Sequence, residues 1–310
     1  MASLPGTLAG GSMTFEAPDI MITCISNQSY EGERPLFAVH GLRLDHVRFL
    51  PGESALKECS DVEAVHCEFM GKYPLWHNRG VRLEHCVFRE GGRAAIWYAE
   101  DVRMRHTLVE APKMFRNVDG LTLEHVSLPH AAECCWHCSH VQFRDVQVKE
   151  GDYLMMHGHD IVIKGFELHG NYSFQYARGI EIRDAVIRSK DAFWNSEDVT
   201  VYDSVLDGEY LGWHSKNLKL VNCSILGTQP LCYADNLVLE NCTLAEDCDL
   251  CFEYSSLDAS IKGTVTSVRN PRSGRIVADG YGDIIMDGHC PLPGNCSVET
   301  RKNNSTGQVA

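Results

Sequence analysis

Eleven times along the chain, at intervals of 19 to 21 residues, one short pattern returns: an aliphatic residue, any residue, an apolar residue, a polar turn, then two apolar residues in alternation. Its first position, called zero here, falls at Leu42, Val62, Val81, Val102, Leu121, Val141, Ile161, Ile180, Val199, Leu218 and Leu237. Position two is filled by residues such as Leu44, Leu83 and Ile163, position five by Val47, Cys67 and Val126, and position seven by Phe49, Phe69 and Leu128. A period this regular is the mark of a solenoid, in which each repeat buries its apolar face only by stacking on its neighbours. Alternation with period two means short strands with one buried side. The change of parity between positions two and five demands a tight turn between two strands. The expected fold is therefore all-β: a single-stranded, right-handed parallel β-helix of about ten to twelve coils with three short strands per coil. Leucine-rich repeats share the period, but their signature and helical return are missing.

The beat divides the chain. Residues 1–40 are expected to form an N-terminal segment and cap, 41–257 the coils, 258–287 a C-terminal cap that keeps strand character without the beat, and 288–310 a mobile tail.

Position four carries His46, His66, His85, His106 and His125 in five successive coils, then mostly Asp and Asn. Stacked coils place these side chains about 4.8 Å apart. A straight file cannot converge on one point as tetrahedral zinc requires, so a turn ladder is expected and no metal. The fourteen cysteines recur at repeat positions that also accept Val, Ala, Thr and Ser, so they read as small buried thiols.

With 42 acidic against 28 basic residues, a net charge of −14, the chain lacks the clustered cations of a nucleic-acid binder. No apolar run is long enough to span a membrane, and the N-terminus has no signal-peptide pattern. A cytoplasmic protein is expected, with no cofactor; a homo-oligomer is compatible with the sequence but not indicated by it.

The stretches GERPLF (32–37), KYPLW (72–76), EAPKMFR (110–116), SKDAFWNSEDVTVYDS (189–204) and GEYLGWHSKNLKLVNCSI (208–225) resemble the bacterial domain-of-unknown-function 3737 family. The resemblance covers most of residues 25–287 and implies a pectate-lyase-like right-handed β-helix. It carries no established activity. Histidine stands in five successive coils where asparagine is the usual ladder residue of such proteins.

Chemistry on a solenoid sits on side chains that leave one strand face. Alternation along the third strand puts the residues eight, six and four before each position zero outward and the residue five before inward. That outward face carries Lys113, Glu133, Tyr153, His157, Tyr172 and Asp191 as catalytic candidates, and Arg34, Tyr73, His137, Tyr176, Asn195, Tyr210 and His214 as ligand-binding candidates. The reverse parity would expose a row of tryptophans. Lys113 and Glu133, one coil apart, also fit an ordinary ion pair. Glu133 and Asp191 lie three coils apart, about 14 Å, too far for the roughly 5–10 Å of paired glycosidase carboxylates. One acid and one base remain possible on a sugar acid. Lys113 or Arg34 would neutralise its carboxylate, and His137, His157, Tyr153 or Tyr172 would move the proton. In Glu133-Cys134-Cys135-Trp136-His137-Cys138, alternation leaves Cys135 and His137 together outside as a possible nucleophilic pair. The expected partner is a small soluble saccharide or sugar acid, acted on by lyase- or epimerase-like chemistry, or bound without turnover by a scaffold that takes sugar or a protein along the third-strand face.

Overall fold

The computed structural model describes residues 22–302 apart from residue 291. The first half of the expected N-terminal segment and the end of the expected tail, residues 303–310, lie outside the described residues.

Position zero of each coil pairs in parallel register with position zero of the next: Leu42 with Val62, Val62 with Val81, Val81 with Val102, and onward to Leu237 with Leu257. The files seen in the sequence are thus vertical files in space. The stack is longer than the beat. Thr23 pairs below Leu42, and Gly274 and Cys296 continue above Leu257, so fifteen rungs are present where ten to twelve were expected. Coils occupy both the region expected as an N-terminal cap, from Thr23, and part of the expected tail, where Cys296–Thr300 forms a strand. The beat faded at the first rung because Thr23 stands where an aliphatic residue is usual, and at the last because the rungs at Leu257, Gly274 and Cys296 are unevenly spaced; stacking stops at neither. Among the described residues there is no α-helix, and no helix is long and apolar enough to cross a membrane.

Two sides of each coil are strands. The first side is represented by His40–Asp45 and Ser60–Val65, and the second by Arg48–Glu53 and Glu68–Phe69. In three central coils, Ser139–Val148, His159–His169 and Arg178–Arg188, one strand runs through the bend between the two sides. Positions zero, two, five and seven fill the interior. Phe49, Phe69 and Phe88 are buried and stack at 5.1 and 4.5 Å. The bend at position four is left-handed in all eleven coils of the beat, with φ of 52° at His46, 51° at His85 and 55° at Asn222. Its imidazoles stack, His46 to His125, at centroid distances of 4.6, 5.2, 5.1 and 4.9 Å. Further along, Asn241 donates its side-chain amide to Asn222 Oδ1 and Asn222 donates to Asp203 Oδ1, at 2.8 and 2.9 Å. All fourteen cysteines are free, and twelve of them are buried.

A second ladder stands one residue before position zero. Asp61, Gly80, Asp101, Gly120, His140, Asp160, Gly179, Asp198 and Asn217 are all left-handed there. These are mostly the residue types that tolerate this conformation, glycine for want of a Cβ and Asp or Asn through local hydrogen bonds.

The third side is built differently. It is a succession of turns, with named strands paired, among the described residues, only at Ile96–Trp97 and Phe115–Arg116. Residues eight and four before position zero are left-handed in coil after coil: Lys113 and Asn117, Glu133 and His137, Tyr153 and His157, Tyr172 and Tyr176. A left-handed residue costs about 1–2 kcal/mol for a side chain with a Cβ. Each is held by a rung hydrogen bond; Glu133 N–H donates to Asp152 O at 2.8 Å and His137 N–H to Met156 O at 3.0 Å.

Candidate functional site

Because left-handed residues reset the direction of the side chains, the alternation expected on the third side does not hold. The row six before position zero is interior: Leu75, Ile96, Phe115, Cys135, Met155 and Phe174 are all at most 1 % exposed. The preceding row (Met114, Cys134, Leu154, Ser173) is interior too. Two consecutive residues face the core, and the next two, at five and four before, face out. The tryptophans therefore stand half-exposed on the outside, contrary to the expectation that they point inward.

This overturns the Cys135–His137 pair. Cys135 lies in the core at 1 % exposure, and burial pushes its thiol well above the ordinary range, so it is no accessible thiolate. His137 is exposed on the other side of the backbone.

The tryptophans are fixed by the coil above. Trp76, Trp97, Trp136 and Trp213 each donate the indole N–H to the carbonyl of a residue eight before the next position zero, Ala94, Lys113, Tyr153 and Gln229, at 2.6 to 2.9 Å. Trp76 and Trp97 stack at 5.2 Å and 9°, and the Arg116 guanidinium fills the gap between Trp97 and Trp136 at 4.4 and 4.5 Å. With their faces covered in this way, these indoles form a ladder and not an open stacking platform.

Six successive coils bring together the candidates from Lys113 to His214. Lys113 donates to Glu133 Oε1 at 2.8 Å, and Arg116 Nη2 lies 3.4 Å from Glu133 Oε2. Lys113 is thus already paired within the protein, through a half-exposed ion pair. Above Glu133, in the same file, Tyr153 stacks on Tyr172 at 4.8 Å. In the parallel file His137, His157 and Tyr176 stack at 4.9 and 5.0 Å. Asp191 is 7 % exposed, and burial holds its carboxyl above the usual range, with Lys190 pulling it back and Glu209 adding to the rise. Asn195 is exposed in the outer file. Tyr210 meets Trp213 edge-on at 5.0 Å, and His214 stacks on Tyr233 at 4.8 Å.

Two candidates lie elsewhere. Tyr73 sits two coils below Lys113, packed against Trp76. Arg34 lies in the first described coil, paired with Glu33 at 3.1 Å, six rungs or about 29 Å from Tyr153. Distance removes it from the chemistry assigned to it.

The structure also shows residues that the repeat pattern concealed. Asp45, one residue before the histidine ladder, places Oδ1 2.9 Å from His46 Nδ1 and 3.7 Å from His66 Nδ1, so three donors converge where a straight file of histidines could not. On the outer face of the first side, a groove of roughly 410 Å³ is lined by Gln142, Arg144, Val162, Lys164, Glu181 and Arg183, among others. These outer positions carried no sequence signal, because any polar residue satisfies the repeat there.

Among solved structures, the A-module of the mannuronan C-5 epimerase AlgE4 from Azotobacter vinelandii is similar at 11% identity, over 90% of this chain and 91% of that one, with a TM-score of 0.38. A mutant of the periplasmic alginate epimerase AlgG is similar at 7% identity, over 91% and 74%, with a TM-score of 0.26. HetL, a pentapeptide repeat protein from the cyanobacterium Nostoc, follows at 10% identity, over 74% and 87%, with a TM-score of 0.20. No curated protein matches the chain. The profile of the family described as "Protein of unknown function (DUF3737)" matches residues 23–299, nearly the whole stack from its first rung to its last, and the chain belongs to that family.

Proposed function

We propose that this chain binds a soluble oligosaccharide or sugar acid along the third side, across the coils that carry Glu133 to Tyr176. One observation carries the reading. Tyr153, Tyr172, His137, His157 and Tyr176 form two parallel files whose stacked rings cover one another's faces. Their hydroxyls and ring nitrogens have no hydrogen-bond partner within the protein among the described residues, whereas His40, His130, His140 and His159 each have one. Unpaired polar edges repeat at one-rung spacing, about 4.8 Å. Such a comb suits a ligand that presents hydroxyls at intervals.

A second reading, proton transfer on a bound sugar acid, is supported by His137. Burial, then the nearby His157 and Arg116, hold its pKa below the ordinary imidazole value. A neutral imidazole at neutral pH is competent as a base, and a tyrosine hydroxyl in the adjoining file is available as the acid.

A thermal-shift screen of saccharides and sugar acids tests the binding, since a ligand of the folded state raises the melting temperature by mass action. For a compound that does so, Tyr153→Phe and Tyr176→Phe, which remove only hydroxyls, should each weaken binding about 2- to 12-fold, the worth of one hydrogen bond. Unchanged affinity in both variants would refute the reading. Appearance of unsaturated-uronate absorbance with the hit compound, lost in His137→Gln, would establish the second reading over simple binding.

A further inference from the structure

The outer face of the first side follows a rule of charge. In-register neighbours along the stack are mostly opposite in sign or held by a carboxylate nearby. In register, Arg43 meets Glu63 at 3.9 Å and Arg105 meets Glu124 at 3.0 Å; out of register, Arg82 reaches Asp101 at 3.7 Å and Lys219 reaches Glu240 at 2.7 Å. The rule fails at one place. Arg144, Lys164 and Arg183 pair in register on three adjacent rungs, so that three cations stand in one file about 4.8 Å apart. Arg183 is held by Glu181 at 2.9 Å and lies over the Tyr202 ring at 3.7 Å. Arg144 and Lys164 have no carboxylate within ion-pair distance among the described residues, although the whole chain carries a net charge of −14.

Like charges directly opposite one another on neighbouring strands are destabilising. Lower in the stack Arg82 and Arg103 also pair in register, but both reach Asp101, at 3.7 and 3.3 Å; Arg144 and Lys164 have no such shared carboxylate, and they line, with Arg183, Glu124 and Glu181, the groove of roughly 410 Å³. The groove also presents the Gln142 amide and Val162, which is 52 % exposed. Cations in a concave site raise the local concentration of an anion, and a guanidinium grips a carboxylate through two parallel hydrogen bonds.

We infer that the Arg144–Lys164–Arg183 file is a binding site for a multiply charged anion, a ligand carrying two or more carboxylates spaced to meet successive rungs. The site is separate from the third side and does not depend on the function proposed for it.

Isothermal titration of the intact chain with tricarballylate, a tricarboxylate that is not a sugar, tests the inference at low ionic strength, with uncharged glycerol as its counterpart. Tricarballylate should bind and glycerol should not, and the double substitution R144Q/K164Q should weaken tricarballylate binding at least tenfold. The saccharide or sugar acid that raises the melting temperature through the third side should bind R144Q/K164Q as it binds the unsubstituted chain, which separates failure here from failure of the third-side reading. The unliganded R144Q/K164Q chain should melt at or above the temperature of the unsubstituted chain, because a repulsion has been relieved. Equal tricarballylate affinity in the double variant, equal binding of glycerol, or a lower melting temperature for the unliganded variant would each overturn the inference; the last would mean that the two side chains serve packing.

Discussion

Lys113 reaches across one rung to donate to Glu133 Oε1 at 2.8 Å. The same carboxylate meets Arg116, whose guanidinium is enclosed by Trp97 and Trp136 and whose Nε is buried without a partner. Glu133 therefore balances a cation that the tryptophan ladder has partly removed from water. Glu133→Gln should destabilise the protein by about 1–3 kcal/mol, the cost of leaving a desolvated charge uncompensated. Lys113→Gln, which breaks only the more exposed half of the network, should cost no more than about 1 kcal/mol. Urea denaturation of the two variants checks the order; equal losses would mean that Arg116 does not depend on Glu133.

The phenylalanine file should behave as a continuous core. Phe69 is fully buried between Phe49 and Phe88. Truncation to alanine leaves a cavity that rungs above and below cannot close without breaking register, so Phe69→Ala should cost about 3–5 kcal/mol. Calorimetry of that variant against Phe37→Ala, whose ring is 40 % exposed, gives the comparison.

At the bend, conformation outweighs side-chain identity. His85 has φ of 51° and stacks between His66 and His106 at 5.2 and 5.1 Å. Asparagine tolerates the left-handed region and can bond along the ladder, as Asn222 and Asn241 do. His85→Asn should leave the melting temperature nearly unchanged, whereas β-branched His85→Val should lose about 1–2 kcal/mol. Equal stability of the two variants would show that the bend is not strained.

Histidines on different sides of the coil should titrate in opposite directions. His137 is held below its ordinary pKa by burial, His157 and Arg116, so the unfolded chain binds its proton more readily. Its stabilising contribution is complete above the unfolded value of about 6.5 and is lost as pH falls through the folded pKa. His140 is raised by its hydrogen bond to Asp119. Its contribution is present below the same unfolded value and disappears as pH rises through the folded pKa. Imidazole NMR titration should place His137 below and His140 above an unfolded reference. The reverse order would contradict the geometry at both sites.

The first two sides were legible because each residue there obeys one rule, alternation, at fixed intervals. The third side was not, because its left-handed positions mostly hold residues such as Lys113, Glu133, Tyr153 and His137, and few among them, such as Asn117 and Asn195, are of a type that announces such a backbone. One signal was present. Pairs such as Cys134-Cys135, Leu154-Met155 and Met114-Phe115 place two consecutive apolar residues where a straight strand could bury only one. Reading them as a doubly buried step would have turned the tryptophans outward and removed Cys135 from the candidate site. The second ladder of Gly, Asp and Asn before position zero was equally visible and marks the corner where the third side ends. The cation file of the first side could not be read in advance, since its significance lies in what each charge lacks as a partner.

Hydroxyl-radical footprinting tests the third side most directly. In the free chain the exposed rings of Tyr98, Tyr153 and Tyr176 should all oxidise readily. With a saccharide or sugar acid that raises the melting temperature, oxidation should fall at Tyr153, Tyr172 and Tyr176 together while Tyr98, three rungs from Tyr153, continues to react. Undiminished oxidation of the tyrosines from 153 to 176 under saturating ligand would contradict the account.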